Sequence, residues 1–276
     1  YNVSDWQDIE LGTYQNYKLM NDIDFKNMEN IKTNVTMNKF ISNNNQKNTL
    51  ANIKINSEDE NKALISKVKQ LNNIRFENIN ISNNASENNG GIILTSGTTD
   101  NCDFVNINID MKNVTSVACI SVMQNDISNI IMEGINISGS NYVGGLVGTA
   151  NSNKVQLITM KDIHVKGNNY TGGLVGFSTG YVWNVKSEET YVEGNEYVGG
   201  IAGHSNIYVN SIDDNIINVG KVSGNSYVGG IIGYGKANKN KISDMDIIGV
   251  NYVGGIAGSL TDSNDNKNLV NKTNIK

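Results

Sequence analysis

The sequence predicts an all-β protein: a single-stranded parallel β-helix (β-solenoid) of about 27 residues per coil, with a short N-terminal helix or cap. Three observations predict it. A tyrosine–glycine motif returns at near-constant spacing, β-branched residues alternate just before each copy, and no repeat holds ten residues of helical period.

The motif is clearest in five segments, 139–148, 167–176, 194–203, 224–233 and 249–258. The first reads Gly-Ser-Asn-Tyr-Val-Gly-Gly-Leu-Val-Gly. Aligned residues are Tyr142, Gly144, Gly145 and Leu146; Tyr170, Gly172, Gly173 and Leu174; Tyr197, Gly199, Gly200 and Ile201; Tyr227, Gly229, Gly230 and Ile231; Tyr252, Gly254, Gly255 and Ile256. Degenerate copies run backwards. Ala118-Cys119-Ile120 takes the Gly-Gly-Leu slot, then Gly90-Gly91-Ile92, then an eroded Lys62-Ala63-Leu64, for about eight coils.

Ahead of each motif stand the pairs Ile79/Ile81, Ile107/Ile109, Ile135/Ile137, Ile163/Val165 and Thr190/Val192, whose period of two marks a strand with one buried face. A third, weaker strand is marked by Ile74 and Phe76, Phe104, Ile130 and Met132, Val155 and Leu157, Trp183 and Val185, and Ile242. Three short strands joined by Asn/Gly/Ser corners can close a coil. Coils stacked about 4.8 Å apart make a rod on the order of 40 Å long. A βαβ array needs amphipathic crossover helices, and a propeller blade needs about 40 residues. Neither fits.

Paired glycines leave both strand faces bare, which permits close backbone approach or lets a ring lie across them. Strand alternation places Tyr142, Gly144 and Leu146 on one face and Val143 and Val147 on the other. The Leu column is expected inward, although both columns are apolar and the opposite facing stays open.

Composition sets the bounds. The chain has 276 residues and a net charge of -5, which argues against a nucleic-acid groove or an anionic-membrane surface. Hydrophobic residues make up 38% but aromatics only 7%, so the core must be mostly Ile, Val and Leu. Proline is absent, Gly reaches 28 and Asn 49. A proline-free chain suits a ladder in which most N–H groups donate, and Asn suits left-handed corners; an AT-rich genome would produce the same two biases. Cys102 and Cys119 allow at most one disulfide, and Cys119, in a glycine column, reads as a small buried thiol. No apolar run reaches membrane-span length, and a start at Tyr1 with no signal peptide suggests a piece of something longer.

The ends differ from the repeats. Ser4-Asp-Trp-Gln7 has the form of a capping box, and Tyr17–Met20 reads as a strand. The expected organisation is an N-terminal cap with lead-in strands over 1–60, solenoid repeats over 61–261, and a polar tail or linker over 262–276.

The Tyr-Val-Gly-Gly-Leu-Val-Gly segments resemble the GLUG repeat. Asn16–Phe25 and Thr49–Ser82 resemble the lead-in of GLUG-containing proteins. The combination is similar to the non-catalytic β-helical part of secreted zinc metallopeptidases of the immunoglobulin A protease type (M26 and the Zmp proteins), and occurs also in surface adhesins. Lys62-Ala63-Leu64-Ile65 lacks the glycines and phenylalanine of the family pattern there. The resemblance implies a secreted or cell-surface bacterial protein and a host protein, a glycoprotein or other domains of the same polypeptide as partners. Net charge and the lack of a long apolar run lead to the expectation of no nucleic acid and no membrane insertion.

A zinc peptidase needs two histidines one helical turn apart around a glutamate. His164 and His204 are some 40 residues apart and read as surface residues. No cofactor is therefore expected in this chain, and zinc only in a catalytic domain elsewhere in a parent protein. Glycan-cleaving β-helices pair carboxylates; Glu188-Glu189 and Asp213-Asp214 are weak candidates better explained as solvated corner loops, and Asp244 and Asp246, read as alternating on a strand, are another weak candidate. Asp262–Asn266 lacks the glycine and glutamate of a calcium loop, and Asp22 and Asp24 read as structural. The reading is a non-catalytic extracellular binding or positioning module, with an adhesin stalk or host-binding module as the alternative and a glycan-active enzyme third. Within the longer coils, 179–190 and 206–218, Tyr181, Trp183, Tyr191 and Tyr208 are the candidate partner anchors.

Overall fold

The computed structural model describes residues 3–12, 14–28, 30–43, 46–57, 63–83, 88–151, 154–206, 212–261 and 267–276. They form a parallel β-solenoid of about eight turns, about 28 residues per turn. The coil holding Tyr142 shows the plan. Tyr142–Gly144 joins a seven-stranded sheet, and Val147–Ala150 and Lys154–Lys166 join a 24-stranded one. One coil on, Val143 pairs with Thr171, Val147 with Val175 and Ile163 with Thr190. Like residues therefore stack. Ile79, Ile107, Ile135 and Ile163 form one buried column.

The two strands expected after Val147–Ala150 are one bent strand. In Lys154–Lys166 the bends fall at Leu157 (φ 57°) and Asp162 (φ 54°), both left-handed. Their columns explain the asparagines. Asn101, Asn129 and Asn184 fill one, and Asn52, Asn78 and Asn106 the other, all at positive φ. Asn is the ordinary side chain that tolerates this region, where other residues pay about 1–2 kcal/mol. The second column adds amide rungs: Asn106 Nδ2 donates to Asn78 Oδ1 (3.0 Å), Asn78 to Asn52 (3.2 Å), and Asn52 to Asp24 (2.8 Å).

The glycine pair is the sharpest corner. The tyrosine strand ends at Gly144, the chain turns through Gly145 and Leu146, and the next strand opens at Val147. A Cβ on Gly173 would sit 2.2 Å from the Gly200 carbonyl oxygen, so backbone approach between coils is what forbids a side chain. The turn also breaks alternation. Leu146 is buried as expected, but Val143 and Val147 are buried beside it rather than opposed to it. The tyrosines, placed with Leu146 by alternation, face outward and are partly exposed. Four of them, Tyr170, Tyr197, Tyr227 and Tyr252, carry φ of 51° to 55°, which turns the side chain away from the strand's regular facing.

Cys119 shifts by one position from its expected glycine column. Val117 pairs with Val143 and Ile120 with Val147, so this corner is one residue shorter and Cys119 takes the Leu146 column. It is a buried free thiol there. Asp244, expected on a strand with Asp246, is instead a left-handed corner residue between Lys241–Ser243 and Met245–Ile248.

Both ends join the ladder. Gln15–Leu19 and Ile23–Asp24 pair in parallel with Val35–Ser42 and Asn48–Ser57. Leu269–Asn271 and Asn274–Ile275 pair with the preceding coil, so the expected polar tail supplies strands. Asp262–Asn266 and Lys62 lie outside the described residues. The helix, Val3–Gln7, opens one residue before Ser4. It lowers Trp6 onto the first coil. The indole is 2% exposed, meets Phe25 and Phe40 edge-on with centroids at 5.8 and 6.1 Å, and donates from Nε1 to the Lys32 carbonyl (3.0 Å).

At the other end the core changes chemistry. The apolar column Ile130, Ile158 and Val185 is continued by Asn215 and Asn240, which are 0% and 1% exposed. Asn215 Nδ2 donates to Asn240 Oδ1 (2.9 Å), and Asn240 Nδ2 to Asn268 Oδ1 (3.1 Å) and the Ile212 carbonyl (2.7 Å). The Val185 amide donates to Asn215 Oδ1 (3.0 Å). Paired this way, the buried amides avoid the 1–3 kcal/mol or so charged to an unsatisfied polar group.

Trp6→Ala should cost about 3–5 kcal/mol in urea unfolding, the range for deleting a buried aromatic. A loss under about 1 kcal/mol would show that the helix does not seal the first coil.

Candidate functional site

Among the outward aromatic groups of the described residues, two arrays differ in kind. The first is the tyrosine ladder. Tyr142, Tyr170, Tyr197, Tyr227 and Tyr252 stack with successive centroids 4.9, 5.0, 4.9 and 4.6 Å apart and planes within 16°. Beside it runs a second column, Phe177, His204 and Tyr234, stacked at 5.3 and 5.1 Å. The columns meet edge to face, as in Tyr170–Phe177 (6.3 Å) and Tyr197–His204 (5.6 Å). Ring faces inside both columns are spent on each other. This array is structural, at about 0.5–1.5 kcal/mol per pair.

His204, read as a surface residue, is half-buried within that second column. Burial holds its pKa below the ordinary value, and Nδ1 is buried with no hydrogen-bond partner among the described residues. Burial also raises the Tyr170 and Tyr197 hydroxyls.

The second array lies on the outer side of Tyr181–Glu193. Tyr181 and Trp183 are 45% and 43% exposed and share a face two residues apart. Trp183 was grouped with the apolar marks of its strand; Val182 and Val185 are the buried residues instead, with left-handed Asn184 between. Strand pairing sets Lys154 beside Tyr181, and Gln156 and Asp213 on either side of Trp183. The indole Nε1 donates to Gln156 Oε1. Two hollows of about 330 and 460 Å³ adjoin here, both lined by Trp183 and Asp214. Lys154, Tyr181, Asp213 and Lys239 complete the first, and Gln156, Leu157 and Asn184 the second.

Leu157 is the residue that sequence reading misplaced most. Named with Val155 as a mark of the third strand, it is 44% exposed, in a left-handed column otherwise filled by Asn101, Asn129, Asn184, Asp214 and Lys239. The signal was present: each neighbouring coil puts a polar residue at this step.

The remaining candidates separate cleanly. Tyr191 is 37% exposed and stacks on His164 at 4.7 Å, while His164 Nε2 lies 3.0 Å from Asp162. These rings line a shallow hollow of about 280 Å³ with Lys166, Glu193 and Lys221. Tyr208 lies outside the described residues. Asp22 accepts from the Thr49 amide (2.7 Å) and Asp24 from the Lys26 amide (2.9 Å), and the Asn52 and Lys26 bonds lower the Asp24 pKa. Glu188 and Glu189 are exposed, Glu189 at a left-handed corner. Asp213 accepts from the Asn238 amide (3.1 Å). Burial pushes the Cys102 thiol up to about 12 and raises Cys119 as well, so neither is a ready nucleophile. Among the described residues no group of three or more His, Cys, Asp or Glu could hold a metal. None of their helices is long and apolar enough to cross a membrane.

The fold and these surfaces define the class, a parallel β-solenoid with outward aromatic columns. No protein-family model and no curated protein matches the chain. A solved structure does share its fold: a protein from Bacteroides ovatus described as a "putative immunoglobulin A1 protease". The match is 12% identical, covers 99% of this chain and 82% of that one, and has a TM-score of 0.50.

Two outcomes follow from the columns. Leu157→Asn should stabilise the chain by about 1 kcal/mol in urea unfolding, since Asn suits the left-handed position; a destabilised variant would show that Leu157 packs inward. For His204 the folded pKa lies below the unfolded value of about 6.5, so its contribution is complete above that pH and is lost as pH falls toward the folded value. The urea midpoint should therefore drop more between pH 7.5 and pH 5 in the wild type than in His204→Phe. Equal drops would contradict the buried neutral ring.

Proposed function

We propose that this chain is a non-catalytic extracellular module that binds or positions a macromolecular partner for a large secreted or surface bacterial protein, of the zinc metallopeptidase type related to immunoglobulin A proteases. The observation that carries the binding role is the exposed pair Tyr181 and Trp183, on which no ring stacks among the described residues, whereas the rings of the tyrosine ladder stack on one another. The fold shared with the Bacteroides ovatus protein and the repeat and lead-in resemblance support the peptidase setting. The partner is a host protein or glycoprotein, or another domain of the same polypeptide. Any zinc chemistry belongs to a separate catalytic domain.

The 276-residue chain, immobilised and exposed to host mucosal secretions, should retain a defined set of proteins. Tyr181→Ala with Trp183→Ala should reduce that retention at least tenfold while leaving the melting temperature unchanged. Retention indifferent to both substitutions, or cleavage of peptides by the chain itself, would overturn the proposal.

A further inference from the structure

Resting on that binding role, we infer that the paired hollows flanking Trp183 form a site for an uncharged saccharide. The site breaks the rules of its own columns. Below Tyr181 and Trp183 stand Lys154 and Gln156, and above Trp183 stand Asp213 and Asn238, so the rings belong to one coil only. Among the described residues no ring stacks on either, unlike every tyrosine of the ladder. Leu157 departs in the same place, an apolar side chain held at φ 57° where the column is otherwise polar. Left-handed leucine weakens the fold and is still left 44% exposed. Such strain concentrates at ligand sites.

The chemistry of the lining names the ligand class. A pyranose offers an apolar C–H face and a rim of hydroxyls that both donate and accept. Trp183, Tyr181 and Leu157 supply the apolar platform. The bond from Nε1 to Gln156 holds the indole in one orientation. Around it, Asn184, Asp213, Asp214, Lys154 and Lys239 supply donors and acceptors of both kinds. The lining holds two ammonium groups and two carboxylates, so its formal charges cancel, which disfavours a phosphate, a polyanion or a strongly charged peptide. The hollows fall within the roughly 300–1,000 Å³ of small-ligand sites.

The test is a glycan array of galactose-, N-acetylglucosamine-, mannose- and sialic-acid-terminated oligosaccharides probed with the intact chain. Hits would be followed by tryptophan fluorescence. The chain has two tryptophans, and Trp6 is sealed in the cap, so a change on titration reports Trp183. The expected result is binding of a neutral oligosaccharide, weakened at least tenfold by Trp183→Ala and also by Leu157→Asn, with unchanged melting temperature in the first. A blank array, preference for sialylated glycans alone, or binding indifferent to both substitutions overturns the assignment. Equal Trp183-dependent capture of a mucin before and after enzymatic deglycosylation would overturn it too, while leaving the binding role of the chain intact.

Discussion

Everything in this molecule depends on backbones of successive coils approaching closely enough to keep parallel register through a sharp corner. At the Gly-Gly step a β-carbon would stand 2.2 Å from the carbonyl oxygen of the coil above. One such clash would splay that corner, and in a one-dimensional stack the misfit passes to both neighbours. The absence of proline is compatible with that ladder, in which a proline has no amide to donate. Shorter corners are tolerated where the count still closes. Val117–Ile120 loses one residue against Val143–Val147, and Cys119 then does the work of a leucine.

Bending strands left-handed carries a cost, and the columns show how it is met. Asparagine accepts the conformation at little expense and bonds to its copy in the next coil. Four of the five tyrosines adopt it although less suited, at about 1–2 kcal/mol each, but stacking returns about 0.5–1.5 kcal/mol per pair and covers part of each ring. The two quantities are comparable. A lone tyrosine would gain little there, whereas five in register form a self-supporting ladder.

In such a stack, departures from a column are more informative than the column itself. Repetition implies a structural role, since each copy is held by the one beside it. Leu157 and Trp183 belong to no such series, and they lie beside the same hollow. The Asn215–Asn240–Asn268 ladder is also a departure, but its amides satisfy one another inside the core, so it needs no outside partner.

What the sequence alone determined was periodic: the solenoid, its turn length, the inward β-branched pairs and the bare glycine pair of every motif. Each rests on a local rule, such as the period of two along a strand or the absent glycine side chain, and repetition averages away the noise of any single coil. Only the tertiary structure decided which way residues face once the chain turns. Tyr142 parts from Leu146, Leu157 turns outward and Trp183 yields the core to Val182 and Val185, because a corner or one left-handed residue resets the alternation. The amide ladder of Asn215 and Asn240 was hidden for a related reason. An asparagine reads as a turn residue until three coils place three of them one above another, and that juxtaposition exists only when the coil closes.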